Sequence, residues 1–257
     1  MSRKRPLQLR ELRIEASRLA VAPAGLSFHL SNEVTGGAGV IYRWTAHHVR
    51  EIFVAVLPRG YVLDGSSVLQ LTCGPRGSEP QYRQILGSSE FYIDDFDFLA
   101  YAAPPQERQE ILLGMIEAAL RRIAALGGRS DKAIVAASEE VREINFRLTL
   151  PVLKLTKGIP GTRCTVQVLR HLSPEQGEVW TMIVLRRGIG LLKEVPIGPK
   201  PNYLDGRGLY QQASIENGKY VLRHRLGHVH FTYDLAQLGL DDERQPKRVA
   251  PRGIFDQ

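Results

Sequence analysis

Between Pro104 and Phe146 the apolar residues change their spacing, and no other feature constrains the fold as much. Leu112, Ile116, Ala119, Ile123 and Leu126 recur at helical intervals, while Arg121 and Arg122 fall on the opposite face. Pro105 suits a first helical turn, where its missing N–H costs nothing, and Gly127-Gly128 supplies a stop. Ser130 or Asp131 then caps a second helix with the stripe Ile134, Ala137, Val141 and Ile144. Two such helices on a short glycine-rich link form an αα-hairpin.

Either side of this hairpin reads as β. Before it, Leu7, Leu9, Leu12, Ile14 and Ala16 alternate with polar residues, and apolar runs follow at Leu26–Phe28, Val40–Tyr42, Ile52–Val56 and Val68–Leu71. Turn signals at Gly36–Gly39, Pro58–Gly60, Asp64-Gly65 and Gly74-Pro75 separate them. Short strands between frequent turns predict a twisted antiparallel sheet, without parallel crossovers. After the hairpin, Cys164, Val166 and Val168 alternate with polar residues, and Val179–Leu185 is a richly apolar strand beyond Ser173–Gly177. Asn217-Gly218 predicts a type I′ hairpin turn, because both central residues need positive φ. The expected class is therefore α+β, with antiparallel β-rich N- and C-terminal parts flanking a helical hairpin. The expected division is a β-rich region ending in the αα-hairpin (1–149), an antiparallel β region (150–240) and a polar tail (241–257).

With 257 residues, 43% of them hydrophobic, the chain can bury a core without staples. Its two cysteines, Cys73 and Cys164, support neither a disulfide framework nor a four-thiolate zinc site, and are expected as free buried thiols. Glu11, Arg13, Glu15 and Arg18 interrupt any signal core after the basic start, and no run is long enough to span a membrane. The expectation is a cytoplasmic chain without a membrane partner. Net charge is +7, which permits an acidic partner, but Arg3, Lys4 and Arg5 supply three of those charges. The excess on the rest is weak for a nucleic-acid binder.

Several constellations bear on chemistry. His224, His228 and His230 share strand parity, and His228 and His230 with one of Asp94, Asp95 or Asp97 would make a metal-dependent hydrolase. The apolar face changes parity, however, from Tyr220, Leu222 and Leu226 to Val229, Phe231 and Tyr233. A bulge or bend at Gly227 explains that change, turning His224 inwards and His228 and His230 outwards, so no metal is assigned. Asp94-Asp95-Phe96-Asp97 reads as a half-exposed edge or loop with solvated carboxylates; in an extended strand Asp95 and Asp97 would lie beside Ile93 and Leu99, with Phe96 and Phe98 towards the core. Such an acidic segment equally suits a protein interface. Gly36–Gly39 lacks the Gly-Lys-Ser/Thr of a P-loop and reads as a tight turn, as do Gly188–Gly190 and Gly206–Gly208. His47, His48 and Glu51 are a candidate acid–base group, but no nucleophile elbow accompanies them, and no catalytic residue or cofactor is assigned. Arg186, Arg187, Arg223 and Arg225 with Tyr203, Tyr210 and Tyr220 would make a basic aromatic surface for single-stranded nucleic acid; solvated strand faces explain them more simply.

The segment from Phe96 to Phe146 carries Phe96-Asp97-Phe98, Tyr101, Glu107-Arg108, Ile111-Leu112, Ile116, Ala119-Leu120, Ile123-Ala124, Val141 and Asn145-Phe146. It resembles bacterial immunity-type proteins of polymorphic toxin systems, which share the order of β-rich start, helical hairpin and β-rich end. The basic balance departs from the many acidic members of that group. The resemblance implies an intracellular protein-binding module that neutralises a toxin or effector domain by stoichiometric binding, without catalysis. The partner-binding candidates are then Asp94, Asp95, Asp97, Arg223 and Arg225. The rival readings are the metal-dependent hydrolase and a nucleic-acid-binding protein.

Overall fold

Alternation sets the first strand, β1 (Glu11–Ala16): Leu12 and Ile14 are buried, and Arg13 between them faces solvent. The computed structural model describes residues 6–20, 28–29, 40–41, 45–101, 104–198 and 206–240. The class is α+β, as expected. Two-residue strands β2 (Phe28–His29) and β3 (Val40–Ile41) pair in parallel with each other. Gly36–Gly39, Tyr203, the basic start Arg3–Arg5 and the tail 241–257 lie outside the described residues.

The run Ile52–Val56, expected as a strand, belongs instead to a helix, α1 (His47–Val56). Val49, Ile52 and Phe53 are fully buried, and that i, i+3, i+4 spacing puts one helical face into the core. A short, densely apolar run does not distinguish a buried strand from a buried helix by period alone. Next come β4 (Val68–Cys73), β5 (Tyr82–Ile85) and β6 (Ser88–Ile93). The sheet order is β1-β4-β6-β5, with β1 parallel to β4, β4 parallel to β6, and β5 antiparallel to β6. The expected absence of parallel crossovers is corrected here, and the helix is the reason. Parallel neighbours need a long crossover connection, and α1 supplies it between β1 and β4.

A four-residue helix, α2 (Phe98–Tyr101), precedes the hairpin helices α3 (Pro105–Leu126) and α4 (Lys132–Glu143). Proline stands at the start of α3 as expected, and Leu112, Ile116, Ala119 and Ile123 are buried; Leu126, placed on the same stripe, is exposed at the helix end. Asp131 occupies the cap position of α4, but its carboxylate accepts from Arg121 Nε at 2.7 Å, while Ser130 Oγ takes the Lys132 N–H at 3.3 Å. α4 ends in a Schellman motif: the Asn145 N–H reaches Arg142 O at 2.9 Å and the Phe146 N–H reaches Val141 O at 3.1 Å, with both residues at positive φ.

The chain divides into two compact units. The first holds residues 1–149 together with 171–179 and 199–205; the second holds 150–170, 180–198 and 206–257. After β7 (Leu148–Pro151) and β8 (Lys157–Gly158), the long strands β9 (Cys164–Ser173) and β10 (Gly177–Arg186) form a hairpin followed by β11 (Gly190–Ile197). Their order is β11-β10-β9-β7, with β8 beside β9. A three-stranded sheet, β12 (Gln212–Glu216), β13 (Lys219–Arg223) and β14 (Val229–Asp234), completes the second unit. Its core gathers Val166, Val168, Trp180, Met182, Val184, Tyr220 and Leu222. The Tyr220 hydroxyl donates to Leu155 O at 2.7 Å. Asn217 and Gly218 both take positive φ, as a type I′ turn requires. Among the described residues no helix is long and apolar enough to cross a membrane.

Candidate interaction face

The four-stranded sheet of the first unit buries Leu12, Ile14, Leu69, Leu71 and Phe91 on one face. Strand parity then obliges Arg13, Gln70 and Glu90 to point the other way. Register brings them into line: Arg13 pairs with Gln70, Gln70 with Glu90, and Glu90 with Arg83. Glu90 holds this row together. Its Oε1 accepts from Thr72 Oγ1 at 2.8 Å and Gln70 Nε2 at 3.3 Å, and its Oε2 from Arg83 Nε at 2.7 Å. Arg83 also reaches Glu79 at 2.9 Å, and the hydrogen bond and charge of Glu90 push the guanidinium pKa up. Burial, and then the charge of Glu90, push the neighbouring Tyr92 hydroxyl up.

Two segments stand over the C-terminal ends of the parallel strands. The Ser17 hydroxyl donates to Pro75 O at 2.5 Å and accepts the Leu19 N–H at 3.1 Å, which ties the segment after β1 to the one after β4. With the sheet they enclose a cavity of about 660 Å³, lined by Arg18, Arg76 and Arg83 and by Glu15, Glu79 and Glu90, with Thr72 and Tyr92. Its charges balance, and ligands of open α/β sheets favour this end of the strands.

At the far end of the same face the β5–β6 hairpin turns on Leu86-Gly87, both at positive φ (49° and 83°). Leu86 is fully exposed, and Ile85 and Leu7 are half-exposed beside it. A cavity of about 170 Å³ lined by Ile85, Arg13, Gln70, Arg83 and Glu90 joins this apolar tip to the charged row.

The residues singled out in the sequence do other things. His47 and Glu51 are buried, but the carboxylate that meets His47 is Glu178: His47 Nε2 lies 2.6 Å from Glu178 Oε2. Arg50 donates to His47 Nδ1 at 2.9 Å and to Leu12 O at 2.9 Å. Because a guanidinium only donates, Nδ1 must accept, and the ring proton sits on Nε2 facing Glu178. With His47 2% and Glu178 0% exposed, this chain of groups is shut off from any substrate. It is a polar strut inside the first unit. His48 is also buried, neither ring nitrogen has a hydrogen-bond partner, and burial, then the neighbouring His47, hold its pKa down at about 3.

Of the two expected forms of the acidic segment, edge or loop, the structure has the loop: a turn followed by a helix cap. Asp94 and Asp95 lie in the turn after β6. Asp94 accepts from the Arg76 backbone N–H and its guanidinium, both at 3.1 Å. Asp97 Oδ1 caps α2 by accepting from the Leu99 and Ala100 N–H groups at 2.9 Å each, while Phe96 and Phe98 stack edge-on at 4.9 Å. Asp95 is exposed in that turn. Gly227 (φ 90°) sits in the connection of a β13–β14 hairpin, so the expected bend is a chain reversal, and Leu226, expected inside, is exposed. His228 and His230 are exposed and His224 is half-buried, its Nδ1 accepting the Leu226 N–H at 3.2 Å. Arg223 grips Glu216 with two nitrogens at 2.8 and 2.7 Å, which lowers the Glu216 pKa, and Arg225 is exposed in the turn. Among the described residues no group of three or more His, Cys, Asp or Glu is placed to hold a metal ion. Both cysteines are buried and neither is in a disulfide, and the Cys73 thiol donates to Met115 Sδ at 3.3 Å.

Sequence reasoning missed Gln70, Thr72, Arg83 and Glu90. The available signal was their polar parity within Leu69-Gln70-Leu71-Thr72 and Glu90-Phe91, and it became a row only once strand neighbours were known. Compared with protein-family models, with curated proteins and with solved structures, the chain finds no match in any of the three.

Proposed function

We propose that this chain is a protein-binding module that captures a partner stoichiometrically, most concretely an immunity protein that covers the active site or substrate channel of a bacterial toxin. The observation that carries the reading is the polar face of the first sheet. A hydrogen-bonded row of opposite charges there is fixed by strand register, beside an exposed apolar tip. Rigid polar groups around apolar anchors are what specific protein interfaces use. The row carries both signs, so the partner is chosen by its charge pattern more than by its net charge. The nucleic-acid alternative draws less support. Arg13, Arg76, Arg83, Arg121, Arg147 and Arg223 are each already engaged by a carboxylate, which leaves less charge to offer phosphates. The hydrolase alternative needs converging ligands, and none are grouped among the described residues.

A tagged pull-down from host lysate with nuclease treatment tests the reading. One stoichiometric protein that is toxic when expressed alone, and harmless when co-expressed with this chain, is the expected result. Recovery of nucleic acid or metal without such a protein overturns it. Given that partner, Arg83→Ala slows association and flattens its salt dependence, measured by stopped-flow mixing at two ionic strengths.

A further inference from the structure

Two-residue hairpin turns of type I′ normally use Asn-Gly, because both central residues need positive φ. This chain does so at Asn217-Gly218, with φ of 50° and 73°. At Leu86-Gly87 it places a leucine in the same conformation, at 49°. A branched apolar side chain gains nothing locally from the left-handed region, where asparagine at least finds local hydrogen bonds. Nor does Leu86 contribute to the core, being 102% exposed. Strain and exposure thus coincide at one residue, a combination that marks functional positions.

The turn is held rigidly. Ser67 donates to Gly87 O through its backbone N–H at 2.8 Å and its hydroxyl at 3.3 Å. Leu7 packs against the turn so closely that a Cβ on Gly87 would lie 3.0 Å from Leu7 Cδ1, and Leu7 is fixed in turn by its N–H to Gly65 O at 3.1 Å. Leu7, Ile85 and Leu86 therefore form a preorganised apolar knob that loses little freedom on binding.

The geometry points to Leu86 as the anchor of the proposed interface, entering an apolar pocket on a folded protein partner. The occupant is argued from continuity: Ile85 lines a cavity with Arg13, Gln70, Arg83 and Glu90, so the knob adjoins the charged row. An apolar centre bordered by both charge signs matches a protein surface with a pocket and a polar rim. A lipid surface calls instead for basic residues around the knob, and here Glu11 and Glu90 stand among them.

This inference rests on the protein-binding reading, and the experiment separates the two. A photoreactive leucine analogue is placed at position 86 of the full chain and, as a control, at Leu126, which is 68% exposed. The partner isolated with the wild type is then titrated against wild type and L86N. The expected result is crosslinking from position 86 and not from 126, with binding to L86N weaker by about thirtyfold or more. The urea midpoint of L86N is expected to be equal or higher, which excludes misfolding as the cause. Unchanged affinity of L86N overturns the anchor and leaves the protein-binding reading intact. Failure of the wild type to yield any stoichiometric partner overturns both. Leu86-dependent binding to phosphatidylcholine–phosphatidylglycerol vesicles overturns the assignment of a protein pocket.

Discussion

His48 follows His47 in sequence, yet the two imidazoles live under opposite rules. His47 is hydrogen-bonded at both nitrogens, while His48 is buried with neither satisfied. Burial keeps His48 neutral, with its pKa at about 3 against an ordinary 6.5. The unfolded chain therefore takes up this proton first. The contribution to stability is complete above about pH 6.5 and drains away as pH falls towards 3, by about 1.4 kcal/mol per pH unit in that window. Urea midpoints at pH 7.5 and 4.5 test this, with His48→Leu expected to shrink the difference between them. At His47 the expectation concerns a hydrogen bond: His47→Ala removes the donor to a buried carboxylate and costs about 2–3 kcal/mol. His47→Gln keeps an N–H near the position of Nε2 and should recover part of that loss in the same denaturation assay.

At the scale of elements, the hairpin helices were legible because their period, proline start and glycine stop agree. α1 was not, because its apolar face is made from a run that suits a strand equally well. Its burial is decided by β1 and by the hairpin helices α3 and α4, against which it packs, and the sequence does not announce these as neighbours. Two of the segments matched in the resemblance to immunity proteins, Phe96-Asp97-Phe98 and Asn145-Phe146, also have local explanations: Asp97 caps α2, and Asn145-Phe146 closes α4. Asn145 sits at the left-handed position of that closure, so Asn145→Ala should cost about 1 kcal/mol and Asn145→Gly next to nothing, by thermal melting. β11 is an edge strand with Leu191 and Leu192 exposed. Lys193, Glu194 and Pro196 blunt it, as charges and proline do on natural sheet edges. Replacing Lys193 and Pro196 together by valine should produce concentration-dependent association, visible by sedimentation velocity.

For the whole molecule, the α+β class followed from the pattern, but the candidate face did not. Arg13, Gln70, Arg83 and Glu90 come from four strands, and only sheet order turns four unremarkable polar residues into one surface. The sequence drew attention instead to chemically conspicuous neighbours, such as His47-His48 and Asp94-Asp95. Physics gives His47 and His48 interior work and sets Asp94 on Arg76 while Asp95 faces solvent, because adjacent side chains on a helix or turn do not face one another. The net charge of +7 was likewise a poor guide, since so many described arginines are already paired. Anisotropy of a labelled single-stranded oligonucleotide is expected to show no binding at physiological salt.

The strut between His47 and Glu178 joins residues 131 positions apart, about half the chain, and it sets an order on biosynthesis. The first compact unit takes in residues 171–179 as well as 1–149, so its polar interior is incomplete when residue 149 has been made. On the ribosome, α1 waits with a donor aimed at nothing until Glu178 has emerged. A gene fragment stopping at 149 would encode the four-stranded sheet and the described helices of that unit but leave His47 without its acceptor, and so would be the wrong place to cut.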